Sequence, residues 1–212
     1  MTDNITVFRH NSIKLTFDDR IVYIDPFKLD FAANDADFIL ITHDHYDHFS
    51  PEDIEKVSCE KTVLVVPERM KLKAQEVSTL VSGITAVKPG ESYDIDGLEL
   101  ETVPAYNILK PFHPKGAGWV GYIVIAEGKR IYIAGDTDAT KEASAVRCDI
   151  ALVPIGGTYT MDAKKAAELV NDIQPEVAIP VHYGDVAGKP SDGEVFVKNV
   201  KPPVRAELKI SF

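Results

Sequence analysis

The stretch Ile41-Thr42-His43-Asp44-His45-Tyr46-Asp47-His48 is the strongest indicator of fold and function in this 212-residue chain. It contains three of the six histidines and two carboxylates, and the apolar run 38–41 leads into it. Imidazole nitrogens and carboxylate oxygens are preferred ligands of zinc, and they also suit iron and manganese. The stretch therefore predicts a metal site at the end of a buried strand.

The spacing of these side chains predicts how they share the site. A chain that leaves a strand in extended form sends positions i and i+2 to the same side, so His43 and His45 should lie together. If the chain then turns, Asp47 and His48 can face the same point from a second direction. We therefore expect two adjoining metal sites.

The pattern His43-x-His45-x-Asp47-His48 resembles the HxHxDH signature of the metallo-β-lactamase superfamily of metal-dependent hydrolases. The resemblance extends from residue 13 to about residue 182. It implies an α/β fold, a four-layer αβ/βα sandwich with its ligands on loops along one edge.

A finer resemblance rests on the segments 24–27 and 135–137. They are similar to those of small cytoplasmic hydrolases related to L-ascorbate-6-phosphate lactonase. Since the sequence shows no internal repeat or linker, we expect a single domain over residues 1–212.

Composition narrows the class of protein and its partners. A hydrophobic content of 45% and a charged content of 26% are ordinary for a soluble globular domain. A formal charge of −10 disfavours nucleic acid as a partner, because phosphate backbones are bound by clustered Lys and Arg.

Cys59 and Cys148 cannot form a disulfide framework. No secretory signal or apolar run of membrane length is apparent, so we expect a cytoplasmic protein with no membrane partner. The sequence is compatible with a homo-oligomer.

Apolar and alternating runs predict a mixed α/β order. The segment 50–53 has the form of a helix start, with Ser50 as the cap and Pro51 at the first helical position. The positive end of that helix dipole, directly behind His48, would suit an anionic substrate. The predicted helices span 51–57, 68–80, 161–173 and 191–200, and the predicted strands include 5–8, 13–17, 21–24, 63–66, 92–95, 98–103, 119–126, 130–134, 149–155, 177–181 and 206–210.

Three further strand ends supply candidates for the site. Asp136 follows Gly135 at the end of an apolar strand, where a side chain can reach a metal without obstruction, and it matches the bridging aspartate of the resembled family. The two oxygens of one carboxylate can contact two cations. His182 matches the family's final histidine ligand. Asp25 matches a residue that hydrogen-bonds a ligand histidine, which fixes the ring tautomer.

The sequence departs from the resembled family in the long segment 104–118. The family usually supplies another histidine ligand there, but this chain has Ala105-Tyr106-Asn107. Three alternatives stay open: Asn107 approaches the metal or its water, His113 enters from the loop, or the first site has only two histidines. His10, in a loop between two strands, is a candidate pocket residue.

These residues together imply a metal-dependent hydrolase. A metal-activated hydroxide would attack a small ester, lactone or phosphorylated metabolite. The last of these would be an anionic substrate. The cofactor would be zinc, or manganese or iron, as one or two ions. Alternatives are a phosphodiesterase or nuclease, and a non-catalytic metal-binding protein. The expected metal ligands are His43, His45, Asp47, His48, Asp136 and His182, and the candidate catalytic residues are Asp47, His10, Asn107 and His113.

Overall fold

Two mixed β-sheets form the centre of the protein, in a computed structural model that describes residues 2–212. The first sheet has the order β1-β2-β3-β4-β5-β6, and its strands are Ile5–Val7, Ile13–Phe17, Arg20–Ile24, Phe38–Leu40, Val63–Pro67 and Gly83–Val87. The second sheet has the order β13-β12-β11-β10-β9-β8-β7. In chain order, β7 to β13 are Ser92–Ile95, Leu98–Pro104, Val120–Ala126, Lys129–Ile133, Ile150–Pro154, Val177–Val181 and Arg205–Ala206.

Each sheet is antiparallel at its start and parallel at its end. Strands β1, β2 and β3 pair antiparallel, and β3 to β6 continue in parallel. Strands β7 to β10 pair antiparallel, and β10 to β13 continue in parallel. Because parallel strands end at the same edge, the loops that follow β3, β4, β10 and β12 can meet.

Within residues 2–212, four α-helices accompany the sheets: α1 (Pro51–Val57), α2 (Lys141–Ser144), α3 (Ala163–Ile173) and α4 (Asp192–Asn199). Helix α1 begins as predicted, since the Ser50 side chain accepts a hydrogen bond from the backbone of Asp53. Helix α3 presents the apolar stripe of Ala166, Leu169, Val170 and Ile173 to the core.

Alternation along the strands divides the core into layers. Ile24 and Leu40 join the larger apolar cluster, which contains residues of both sheets and of α3. The neighbouring Tyr23 and Ile39 face the opposite side, where Ile54 of α1 covers them. The order helix, sheet, sheet, helix confirms the predicted αβ/βα sandwich.

Two element predictions are wrong. The helix expected over 68–80 is two short 3₁₀ helices, Glu68–Met70 and Lys73–Val77, which bury Met70, Ala74 and Val77 against the first sheet. The strand expected over 206–210 shrinks to the two residues of β13. In the first segment this burial outweighs local helix preference; in the second, the Lys209 side chain donates to the carbonyls of Thr2 and Ile5. Among residues 2–212, no helix is both long and apolar enough to cross a membrane.

Candidate metal centre

Five loops that border the two sheets meet at one point. The β4 loop supplies His43 to His48, and the β10 and β12 strand ends supply Asp136 and His182. The β1–β2 turn adds His10, and the long loop after β8 adds His113. The histidines among them, with Asp47 and Asp136, are buried, except that His45 is half-buried. Groups from distant parts of the chain thus form one polar cluster inside the protein.

The first group of candidate ligands is His43, His45 and His113. Nε2 of His43 lies 3.0 Å from Nδ1 of His45. The ring centre of His113 is 4.9 Å from that of His45 and 5.1 Å from that of His43. The three imidazoles can therefore offer three nitrogens to one ion.

The second group is His10, Asp47, His48 and His182. Oδ2 of Asp47 lies 3.7 Å from Nε2 of both His48 and His182. His10 contacts the same oxygen through Nε2 at 2.9 Å, and its ring centre is 3.7 Å from that of His182.

Asp136 lies between the two groups. Its Oδ2 atom is 3.2 Å from Nε2 of His113 and 3.1 Å from Nε2 of His182, and its Oδ1 atom is 3.3 Å from Nε2 of His48. A single carboxylate thus touches histidines of both groups, as the predicted bridging position requires. Gly135 allows this approach, because it has φ +63° and a Cβ there would lie 3.1 Å from Cβ of Thr42.

Asp25 and Thr42 orient the histidines of the β4 loop. Oδ2 of Asp25 accepts hydrogen bonds from Nδ1 of His48 at 2.7 Å and from the Thr42 hydroxyl at 2.6 Å. That hydroxyl, 3.0 Å from Nδ1 of His43, accepts from this ring. Nε2 of both rings therefore has its lone pair directed into the cluster. Asn11 donates a further hydrogen bond to Asp25.

Asn107 and His113 form a hydrogen-bonded pair in the loop where another histidine ligand was expected from the sequence. Oδ1 of Asn107 accepts from Nδ1 of His113 at 3.0 Å, which leaves Nε2 of His113 free to face Asp136. Nδ2 of Asn107 donates to the carbonyl of Tyr159 at 2.9 Å. Of the three alternatives, the geometry favours His113 as the incoming group, with Asn107 behind it as the residue that orients it.

Burial and neighbouring charges give the histidines of the site different protonation states. Burial lowers the pKa of His43 and His45, and that of His10 to about 4, so these rings are neutral. Burial also acts on His182, but the carboxylates of Asp136 and Asp47 outweigh it and raise the pKa to about 10. In the metal-free protein, protons on such rings offset the buried carboxylates.

The hydrogen-bond pattern of the cluster fits a metal ion. Among residues 2–212, buried side-chain atoms without a hydrogen-bond partner include Nε2 of His48, His113 and His182 and Oδ1 of Asp136. Unpaired buried polar atoms are costly, and these four converge on one point from four loops. All are nitrogen or carboxylate donors, the set that zinc, manganese and iron accept.

Three residues of the site adopt left-handed backbone conformations that are unfavourable for non-glycine residues. They are His10 (φ 55°), Asp25 (φ 45°) and His182 (φ 57°). The backbone N–H of His182 donates to the carbonyl of His10 at 2.8 Å, which couples two of them. Such strain persists where the surroundings fix it, and it is concentrated at functional sites.

A cavity of about 230 Å³ opens above the cluster. His45, Asp47, His113 and Asp136 form its floor. His10, predicted as a pocket residue, does not line this cavity; it borders a separate one beside Tyr183. The predicted ligands therefore meet beneath one opening, with His10 behind Asp47.

Three residues around the candidate metal centre were not predicted from the sequence. Thr42 and Asn11 both bond to Asp25, and the Trp119 ring lies 5.0 Å from His43 and 4.9 Å from His45. The position of Thr42 directly before the first histidine could have suggested its role. Nothing in the sequence around Asn11 or Trp119 shows that the fold brings them to the site.

Comparisons with known proteins agree with this geometry. A model of the β-lactamase superfamily domain matches residues 4–182. A UPF0173 metal-dependent hydrolase of Methanopyrus kandleri is 30% identical over 93% of this chain and 91% of its own. A second, from Saccharolobus solfataricus, is 32% identical over 91% of this chain and 89% of its own.

A solved structure shows the same likeness in three dimensions. A Parabacteroides distasonis protein assigned as a metal-dependent hydrolase has a TM-score of 0.84 and 30% identity, covering 98% of this chain and 93% of its own. The superfamily resemblance is confirmed. The finer resemblance to the ascorbate-phosphate lactonase branch stays a prediction.

Proposed function

The chain belongs to the β-lactamase superfamily and to its metal-dependent hydrolases, and from this premise we propose that it hydrolyses a small ester, lactone or phosphorylated metabolite. One observation supports the proposal above all: unpartnered imidazole nitrogens and a carboxylate oxygen converge beneath an open cavity. Convergent polar groups of this kind at the base of a pocket are typical of a catalytic site.

We propose two ions, of zinc or alternatively manganese or iron. His43, His45 and His113 would hold one ion, and Asp47, His48 and His182 the other, with Asp136 between them. Metal ions at these positions would supply Lewis acidity and lower the pKa of a coordinated water from about 15.7 to about 7.

The protein's own residues would position the substrate and move the proton. Asp47 lines the cavity, and its contacts with His10 and His182 outweigh burial and lower its pKa, so it is ionised at neutral pH. It can accept the proton of the attacking water and return it to the leaving oxygen. The water oxygen bonds to the acyl or phosphoryl centre, the original ester bond breaks, and the leaving group departs as an alcohol. His10 would orient Asp47, and Asn107 would orient His113.

The proposal is tested by metal loading followed by a substrate panel. Metal-free protein is loaded with zinc, manganese or iron(II), and turnover is measured on generic esters, lactones, phosphomonoesters and phosphodiesters. We expect metal-dependent turnover that Asp136→Asn reduces by about a hundredfold or more, because a negatively charged ligand is lost from between the two groups. Activity on phosphodiesters or oligonucleotides alone would indicate a phosphodiesterase or nuclease. Stoichiometric metal binding without turnover on any class would indicate a metal-binding protein that is not an enzyme.

A further inference from the structure

We propose that the substrate is a neutral carboxylic ester or lactone with a phenyl-sized apolar group. This inference rests on the proposed hydrolase function and narrows it to one class of substrate. It comes from the cavity walls, which differ in chemistry from the polar floor.

The walls of the cavity are apolar and largely aromatic. Tyr46, Phe112, Tyr159 and Val186 surround the opening above the histidines and carboxylates. A cavity of about 150 Å³ holds benzene, and pockets for drug-sized ligands begin at about 300 Å³. The volume of about 230 Å³ therefore suits one aromatic ring or a short branched chain beside the reacting group.

The walls are held in place by contacts between separate loops. The rings of Phe112 and Tyr159 pack edge to face with centres 4.9 Å apart. Lys110 donates to the carbonyl of Thr160, and Asn107 donates to that of Tyr159. These bonds tie the loop that contains Phe112 to the loop that contains Tyr159, so the apolar walls are preformed.

No lysine or arginine within residues 2–212 lines this cavity. Three lysines on neighbouring segments have other partners: Lys28 pairs with Asp185 at 2.8 Å, Lys110 with Asp138 at 3.0 Å and Lys115 with Glu142 at 2.7 Å. A phosphate group remote from the reacting bond would lie against aromatic walls without a cation. Phosphate sites normally provide Arg, Lys or a free helix N-terminus.

The amino end of α1, expected to favour an anion, does not take this role. Ser50 caps the helix, and the Asp53 carboxylate accepts hydrogen bonds from the backbone of Lys28 and Leu29. None of these residues lines the cavity. Positive charge for the substrate would thus come only from the ions at the floor, which suits a single carbonyl oxygen. Transfer of a phosphoryl group spreads charge over three oxygens and usually needs further cationic groups.

The test compares matched esters on the metal-loaded enzyme. Phenyl acetate and 4-acetoxybenzoate contain the same acetyl ester and differ by one carboxylate on the ring, and phenyl phosphate represents phosphoryl transfer. We expect kcat/KM to be at least about tenfold higher for phenyl acetate than for the other two, because the charged groups lose solvation against apolar walls.

Substitutions at two wall residues, Phe112 and Val186, examine the apolar group directly. Phe112→Ala should raise KM for phenyl acetate about tenfold and change KM for methyl acetate much less, and Phe112→Leu should recover most of the loss. Leu109→Ala is the matched control, since Leu109 lies on the same loop but is 94% exposed and outside the cavity. Val186→Lys, which adds a cation to the wall, should shift preference toward 4-acetoxybenzoate.

The outcomes separate this inference from the function on which it rests. A preference for phenyl phosphate or 4-acetoxybenzoate in the native enzyme overturns the neutral-substrate inference and leaves the hydrolase intact. Equal losses on phenyl and methyl acetate in Phe112→Ala overturn the assignment of the wall. Absence of metal-dependent turnover on every class overturns the hydrolase function itself.

Discussion

Replacement of Asp25 offers the sharpest test of how the protein orients its metal ligands. This fully buried carboxylate accepts four hydrogen bonds, from the Thr42 amide (2.8 Å), the Thr42 hydroxyl (2.6 Å), Asn11 (2.7 Å) and His48 (2.7 Å). Three of them reach Oδ2 and one reaches Oδ1. Each buried donor left unpaired costs roughly 1–3 kcal/mol.

The two substitutions at this position differ in how many donors they leave unpaired. Asp25→Ala removes every acceptor, and even if the hydroxyl rotates to another partner, three donors remain, a loss of roughly 3–9 kcal/mol. That is comparable with the total stability of a typical domain, about 5–15 kcal/mol, so this variant should be barely folded. Asp25→Asn keeps the shape and can place its oxygen toward the three donors. The Thr42 amide and the new side-chain NH2 group then face each other without an acceptor, and we expect a loss of roughly 2–6 kcal/mol.

The assay combines stability and metal affinity. Urea unfolding of the metal-free Asp25→Asn variant gives the loss of stability, and zinc titration against a chromophoric chelator gives the affinity, expected to fall about 10- to 100-fold. Asp35→Asn is the control: Asp35 pairs with Lys14 in a partly exposed setting, so zinc affinity should not change. Wild-type zinc affinity in Asp25→Asn would refute the reasoning.

Three further predictions follow from the same contacts. In His113→Ala, elemental mass spectrometry should find about one zinc ion per chain in place of two, whereas Asn107→Ala should bind the same ion more weakly without losing it. If His113→Ala still binds two zinc ions, the third ligand of that ion is another residue. Neighbouring carboxylates raise the pKa of His182 in the metal-free protein to about 10, and zinc binds only the neutral ring, so zinc affinity should rise with pH up to about 10. Calorimetry in buffers of different ionisation enthalpy should show that zinc binding releases a proton. A zinc affinity that does not change with pH would contradict this prediction. Burial raises the pKa of Cys148 to about 12, so mass spectrometry should find this thiol essentially unalkylated by iodoacetamide at pH 8, and rapid labelling in the folded state would show that it is accessible.

Local sequence was sufficient for much of the fold. The alternation of Ile13 to Phe17, the buried runs before His43 and His182, and the cap at Ser50 are short-range signals, and each element formed where its signal lies. The helix prediction for 68–80 was wrong because the apolar side chains there pack against the first sheet, a contact that local propensity does not record. The strand prediction for 206–210 was wrong beyond Ala206, where the Lys209 side chain donates to the carbonyls of Thr2 and Ile5.

The candidate ligands were recognisable for a similar reason. His43 to His48 form one dense motif, and Asp136 and His182 each follow a buried strand, so position along the chain marks them. The choice between Asn107 and His113 could not be made from sequence. It depends on how the loop after β8 folds back, which directs the His113 ring inward and leaves Asn107 as its hydrogen-bond partner.

Sequence alone therefore determined the type of chemistry, because metal ligands are defined by residue type and by their place at strand ends. The tertiary structure decided which groups share an ion, which residues fix their rings, and what surrounds the opening. Those properties depend on distances between side chains far apart in the chain, such as the 2.7 Å between Asp25 and His48 and the 4.9 Å between Phe112 and Tyr159. Such distances are set only when the two sheets pack and their loops meet at one edge.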